Sequence, residues 1–281
     1  MYLEYWGLEA RPFESARDPR FLFKSQSVEL ALLKLEHVVR ERQPAVLLTG
    51  AAGCGKTLLL DVFGESLARD GTPLARIDAP AMDAVDLLVA VARGFGVPKT
   101  PQARSEVLLE PLSRSLGERL KEAAEAGKRA VLILDDAQAM GDPAAFEMLK
   151  TLLEGEGSPA LVLSGGDELV EKLSRMETLS QKISSRARLG PLTRTESKQY
   201  ILHRLSVAGS KRGIFTASAA DRIADLSRGV PRRINRLCDT ALLTGFGLEL
   251  AKIGPSVIDM VAADIEGPPG ESTEAPPAPA P

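Results

Sequence analysis

Aromatic residues are scarce in this chain: one Trp, three Tyr and eight Phe make up 4% of 281 residues. A surface of interleaved aromatics on which successive bases stack is therefore not expected, and Trp6 reads as a core anchor. Cysteine is scarcer still. Cys54 and Cys238 lie far apart, offering neither a disulfide framework nor metal-ligand spacing, and both are expected as reduced thiols. His37 and His203 stand in helical stretches with no Cys or His at metal spacing, which points to structural roles. No apolar run approaches the roughly 20 residues needed to cross a bilayer, so no integral membrane segment is expected. The start, Met1-Tyr-Leu-Glu-Tyr-Trp6, has neither the basic opening nor the apolar core of a secretion signal, which makes a cytoplasmic location the expectation.

What is present is a chain with 44% hydrophobic and 26% charged residues, enough to bury a substantial core in one or two domains. Its most specific feature is Gly50-Ala51-Ala52-Gly53-Cys54-Gly55-Lys56-Thr57, which fits G-x-x-x-x-G-K-[ST] at every fixed position. The apolar run Ala45–Thr49 before it reads as a buried strand, and the stretch from Thr57 and Leu58 to Phe63 reads as a helix. Glycines let successive N–H groups turn toward phosphate oxygens, and the helix adds its positive N-terminal end. In such a loop Lys56 reaches the β- and γ-phosphates, and the Thr57 hydroxyl ligates Mg²⁺. ATP and Mg²⁺ are thus the expected cofactors. Cys54 lies inside the loop, so a bulky thiol reagent is expected to block nucleotide binding.

Ala130-Val-Leu-Ile-Leu-Asp-Asp136 is an apolar strand ending in two acids. Strands of open α/β sheets deliver such residues to the ligand crevice at their C-terminal ends. Asp135 is placed to hold Mg²⁺, and Asp136 to orient or deprotonate an attacking water.

Around these motifs strands alternate with helices. Helical spacing runs over Ser27–Arg40, Asp83–Gly94, Arg104–Ala126 and from Asp142-Pro143 onward; strands are expected at Thr72–Asp78, Ala160–Ser164 and Ile183–Leu189. This implies a mostly parallel, three-layer sheet. After Pro191 only helices are expected: Thr193–Val207, opened by the capping box Thr193-Arg-Thr-Glu196, then Thr216–Ser227, Pro231–Gly247 and Pro255–Ile265. They form a small lid. The Pro/Ala-rich tail 267–281 cannot build a core and is expected to be disordered. Charge is uneven: Glu171–Arg236 holds fifteen Lys/Arg against five Asp/Glu, a balance of +10 that leaves −13 elsewhere. Such a segment is either a solvated face with some arginines turned to nucleotide, or a surface for DNA.

Further motifs are Tyr5-Trp-Gly-Leu-Glu-Ala-Arg-Pro-Phe13, Asp18-Pro-Arg-Phe-Leu-Phe23, Asp135-Asp-Ala-Gln138, Gly165-Gly-Asp-Glu-Leu169 and Gly229-Val-Pro-Arg-Arg-Ile-Asn-Arg-Leu-Cys-Asp239. Through these, from Tyr5 to Ile265, the chain resembles the AAA+ ATPases of the general secretion pathway protein A type, within a wider group that includes ATPases of transposition. The resemblance implies a linker at 1–26, a RecA-like ATPase domain at 27–190 and a helical AAA+ lid at 191–266, with nucleotide between the last two. It implies that Arg232 is the sensor arginine of the lid and Arg186 an arginine finger acting across a subunit interface. Pro12-Phe13 is implied either near the adenine or as a hydrophobic anchor. A homo-oligomer or partner protein is implied, with DNA a candidate partner. The chain departs from the pattern at Asp136, where relatives have Glu, at Gly166, where Gln is replaced and Ser164 is the substitute near the γ-phosphate, and at Lys182, where many have Arg. An aspartate is one methylene shorter, and about 1 Å of misplacement can cost on the order of 100-fold in rate. Slow hydrolysis driving a conformational or assembly switch is the resulting expectation, with an ATP-dependent DNA-binding assembly factor like transposition ATPases and a non-hydrolysing ATP-binding scaffold as alternatives.

Overall fold

A computed structural model describes residues 2–14, 17–79, 81–98 and 109–266. Contacts divide the chain into two units, Ala16–Pro191 and Met1–Ser15 together with Leu192–Pro281.

The first unit is built on five strands: β1 (Ala45–Gly50), β2 (Leu74–Asp78), β3 (Val131–Asp135), β4 (Ala160–Gly165) and β5 (Ile183–Leu189). Their order is β2-β3-β4-β1-β5, and every pairing is parallel. β1, β3 and β4 are buried along their whole length, as their unbroken apolar runs imply for a sheet covered on both faces. Alternate residues separate cleanly between the two faces. Leu47, Leu132, Leu134, Leu161 and Leu163 pack with helices α4 (Ala84–Gly94), α5 (Leu109–Glu125) and α6 (Pro143–Leu152). Val46, Leu48, Val131, Ile133 and Val162 pack with α2 (Gln26–Arg40) and α3 (Lys56–Arg69). This is the expected three-layer arrangement. Two short helices, α7 (Asp167–Ser174) and α8 (Glu177–Lys182), lead from β4 to β5.

Local signals set the helix starts. Asp83 and Asp142 accept from the backbone N–H of Asp86 and Ala144, and Pro143 opens α6 with a ring that needs no donor. The first part of the helix expected over Arg104–Ala126 lies outside the described residues. Because all strands run the same way, their C-terminal ends share one edge of the sheet, and the register Leu48↔Ser164, Leu134↔Leu163 and Asp78↔Asp135 aligns Gly50, Ser164 and Asp135 there.

The second unit is helical: α1 (Tyr2–Trp6), α9 (Arg194–Val207), α10 (Ala217–Ser227), α11 (Pro231–Gly247) and α12 (Pro255–Glu266). The Thr193–Glu196 capping box is present in both directions. Gly229 ends the turn after α10 at φ 71°, and a Cβ there would lie 1.9 Å from the Leu192 carbonyl oxygen, so only glycine fits.

The expected linker at 1–26 is divided between the units. Its first part belongs to the helical one because it carries core residues: Trp6 is fully buried, its Nε1 donates to the Leu242 carbonyl at 2.9 Å, and Phe13 is buried edge-on to Phe215. Arg204, also buried, donates to the carbonyls of Pro12 and Glu14, the latter at 3.0 Å, and to the Tyr200 hydroxyl at 2.9 Å. The expected tail at 267–281 lies outside the described residues. No helix among the described residues is long and apolar enough to cross a membrane.

Candidate nucleotide-binding site

The loop 50–57 leaves β1 and enters α3 directly. Gly50 passes so close to β5 that a Cβ would stand 2.5 Å from the Leu189 carbonyl oxygen, which accounts for the first glycine of the motif. Gly53 and Gly55 take positive φ, at 85° and 95°, and Gly55 caps α3. Ala51 and Ala52 are exposed at the tip, and Leu58 lies half-buried in the first turn of α3. Lys56 folds back over the loop, its Nζ 2.8 Å from the Gly50 carbonyl and 3.4 Å from that of Ala51. An ammonium held only by carbonyls is a cation in need of an anion, and the positive end of α3 adds to the same demand.

Asp135 comes from the C-terminal end of β3 and is 1% exposed. Its Oδ2 accepts from the Thr57 hydroxyl at 2.8 Å, joining the two sequence motifs in space. One carboxylate and one hydroxyl beside a phosphate-binding loop fit Mg²⁺, which is held by few protein oxygens and completed by phosphate and water. No cluster of three or more His, Cys, Asp or Glu side chains that could hold a metal ion occurs among the described residues.

Asp136 is exposed and left-handed, φ 54° and ψ 34°. Aspartate tolerates that region better than most side chains, which gives a backbone reason for Asp at this position. Its Oδ1 accepts from Gln138 Nε2 at 3.1 Å, and Gln138 Oε1 in turn accepts from the Gly166 N–H at 3.3 Å. The amide thus ties the second acid to the loop after β4. Ser164, on β4 beside β1, is fully buried, and its hydroxyl has no hydrogen-bond partner. A buried hydroxyl of that kind is rare in a settled core and fits a group that meets a ligand or water.

The other implied residues are placed differently. Arg186 lies in the middle of the edge strand β5, in register with Leu47, exposed, with its guanidinium 3.4 Å from the Ser180 hydroxyl. Lys182 approaches Glu154 at 4.0 Å. Arg232 is exposed in the first turn of α11, within the helical unit.

The expectation for the Cys54 thiol is corrected. The side chain is buried, 5% exposed, and belongs to the apolar cluster of Leu48, Leu59, Leu60 and Phe63. Burial pushes its pKa up, outweighing the nearby Lys56, so the thiol is neither accessible nor ionised. Its backbone N–H is engaged by the Ala51 carbonyl at 3.3 Å.

Two contributors were not singled out from the sequence. Gln138 closes the motif Asp135-Asp-Ala-Gln138, and its bridging role shows only in the fold. Arg76, in the centre of β2, bridges Asp61 of α3 and Asp135 of β3. Its signal was a charge inside an otherwise apolar strand, Leu74-Ala-Arg-Ile-Asp78.

Residues 39–173 match the family model described as an AAA domain. This stretch is an AAA domain of the P-loop type. Over 273 residues it is 33% identical to the general secretion pathway protein A of Aeromonas hydrophila, covering 95% of this chain and 49% of that relative. The chain therefore spans about half the length of the curated relative it matches. The AAA+ fold is also that of Cdc6p from Pyrobaculum aerophilum, with a TM-score of 0.71 at 19% identity, covering 90% of this chain and 70% of that one. A Drosophila ORC structure bound to DNA matches with a TM-score of 0.65 at 15% identity, covering 92% and 66%.

Proposed function

We propose that this AAA+ protein binds ATP·Mg²⁺ and hydrolyses it slowly, so that the nucleotide state acts as a conformational or assembly switch. The observation that carries the reading is the Thr57–Asp135 hydrogen bond, 2.8 Å long, at the mouth of the phosphate loop. Lys56 and the loop amides neutralise the β- and γ-phosphates. Thr57 and Asp135 hold Mg²⁺, which when bound spreads the charge that develops on the phosphate oxygens. Asp136, held by Gln138, orients the attacking water and accepts its proton. The water oxygen bonds to the γ-phosphorus, the bond from that phosphorus to the bridging oxygen breaks, and ADP departs with the electron pair. Ser164 contacts the γ-phosphate. Arg232 keeps the sensor role that the resemblance implies, and Arg186 supplies a cation in trans within a homo-oligomer or to a partner protein. A cytoplasmic site of action accompanies this reading.

Single-turnover phosphate release at several protein concentrations tests it. Asp136→Asn is expected to bind ATP and lose hydrolysis, because an amide cannot take the proton; Asp136→Glu is expected to speed it. Hydrolysis by Asp136→Asn at the wild-type rate would leave a non-hydrolysing or differently catalysed scaffold.

A second reading, ATP-dependent assembly on DNA, draws on exposed Arg228, Arg232, Arg233 and Arg236 at and before the start of α11. Much of the remaining +10 segment is engaged internally: Arg194 and Lys198 with Asp221, Arg222 with Asp259, and Arg188 with Asp167. Salt-dependent binding of duplex DNA, stronger with ATP, would favour this reading.

A further inference from the structure

Arg76 is a charged residue in the middle of a strand, with its side chain 19% exposed. A buried guanidinium is costly unless its donors are satisfied, so its partners reveal what it is for. There are three. Asp61, one turn into α3, takes Nη1. Asp135 Oδ2 lies 3.6 Å from Nη2. The Thr57 carbonyl accepts from the same Nη2 at 3.4 Å. The last two residues are the ones that supply oxygen to Mg²⁺ in the reading above, and Arg76 touches both without being a ligand.

The geometry has a further consequence. The same Asp135 oxygen receives the Thr57 hydroxyl and faces Arg76. Without an anchor, the guanidinium would close on Asp135 as a full ion pair and compete with a cation for it. Asp61 prevents that by holding the other arm of the fork, and its Oδ2 is buried with no partner. A planar fork suits this task, because it fixes two directions at once where an ammonium fixes none.

We propose that Arg76, held by Asp61, is a positioning residue that sets the orientation of Asp135 and the first turn of α3, and so the affinity of the site for the divalent cation. The proposal rests on the reading of Thr57 and Asp135 as the cation's protein oxygens. Lysine at position 76 keeps the charge but loses the fork, so Asp135 is no longer aimed. Asparagine at position 61 frees the guanidinium to pair with Asp135. Both changes weaken the cation site. Groups that orient metal ligands in this indirect way typically contribute about 10- to 100-fold in metal affinity.

The test is ADP binding by calorimetry, which involves no turnover, in excess EDTA and in excess MgCl₂, with wild type, Arg76→Lys and Asp61→Asn. The ratio of the two dissociation constants isolates the cation, and a general loosening of the fold would lower both affinities together. The expected result is a ratio at least about 10-fold smaller in both variants than in wild type. Thermal melting in EDTA establishes that each variant is folded. If either folded variant keeps a ratio within about twofold of the wild-type value, the proposal is overturned while the Mg²⁺ assignment stands. A wild-type ratio of one would instead remove the Thr57–Asp135 assignment, and this proposal with it.

Discussion

Buried polar groups in the two units do different work. In the helical unit, buried Ser197, Arg204, Ser227 and Asn235 all find protein partners: Ser197 the Thr193 carbonyl, Arg204 the carbonyls of Pro12 and Glu14, Ser227 the Ala224 carbonyl, and Asn235 the Tyr200 hydroxyl. Arg204 spends its polarity on holding the chain's own N-terminal residues, and the other three tie the helices to themselves and to one another. In the sheet unit, buried Ser164 has a hydroxyl without a partner, Asp61 has a bare Oδ2, and Lys56 is held by carbonyls alone. The difference separates architecture from site: a buried polar group with its protein partner in place stabilises a fold, whereas an open one beside a phosphate-binding loop is arranged for something else.

Trp6→Ala attacks the architectural side and is expected to have the largest effect, about 3–5 kcal/mol of stability, measured by urea unfolding. A loss below about 1 kcal/mol would mean that the N-terminal residues are dispensable to the helical unit and would erase that half of the contrast. Lys56→Ala attacks the other side. It should weaken ATP·Mg²⁺ binding about 100-fold, near the upper range for a hydrogen bond to a charged group, with little change in unfolding. Calorimetric titration checks this, and equal affinities would take the loop out of the site. Gln138→Ala should slow single-turnover hydrolysis about tenfold while ATP still binds, since Asp136 loses the group that holds it. A rate equal to wild type would show that the amide bridge has no catalytic role.

The mildest effect concerns the cysteines, which sit one in each unit. Burial raises both thiol pKa values, Cys238 most strongly. The folded protein therefore keeps both thiols protonated at neutral pH, and their thiolate fraction grows only as pH rises above the ordinary cysteine range. Labelling by a disulfide reagent at pH 8 should be at least about tenfold slower than in urea for either residue. Fast labelling of Cys54 in the native protein would place its side chain on the ligand side after all.

Much of this was legible from the chain. The phosphate loop, the strand ending at Asp135 and the capped helices are local signals, and each appears where spacing and caps put it. What the sequence concealed depends on contacts distant along the chain. Trp6 reads as a core anchor, but nothing local shows that its core includes Leu242. Arg76 has no evident role in the strand's sequence until β3 brings Asp135 beside it. Cys54 falls within the nucleotide loop by position, yet its side chain turns into the core, because backbone amides rather than side chains make such a loop useful.

Trp6, Phe13 and Arg204 tie the first residues of the chain to the helices that come last in it. The helical unit is made of two pieces, Met1–Ser15 and Leu192–Pro281, and the sheet unit is the stretch between them. The nucleotide-binding body is thus an insertion within a helical host. A fragment beginning at residue 192 would be an incomplete host, missing the indole that fills its centre, and should fail to fold until a peptide of the first fifteen residues is supplied.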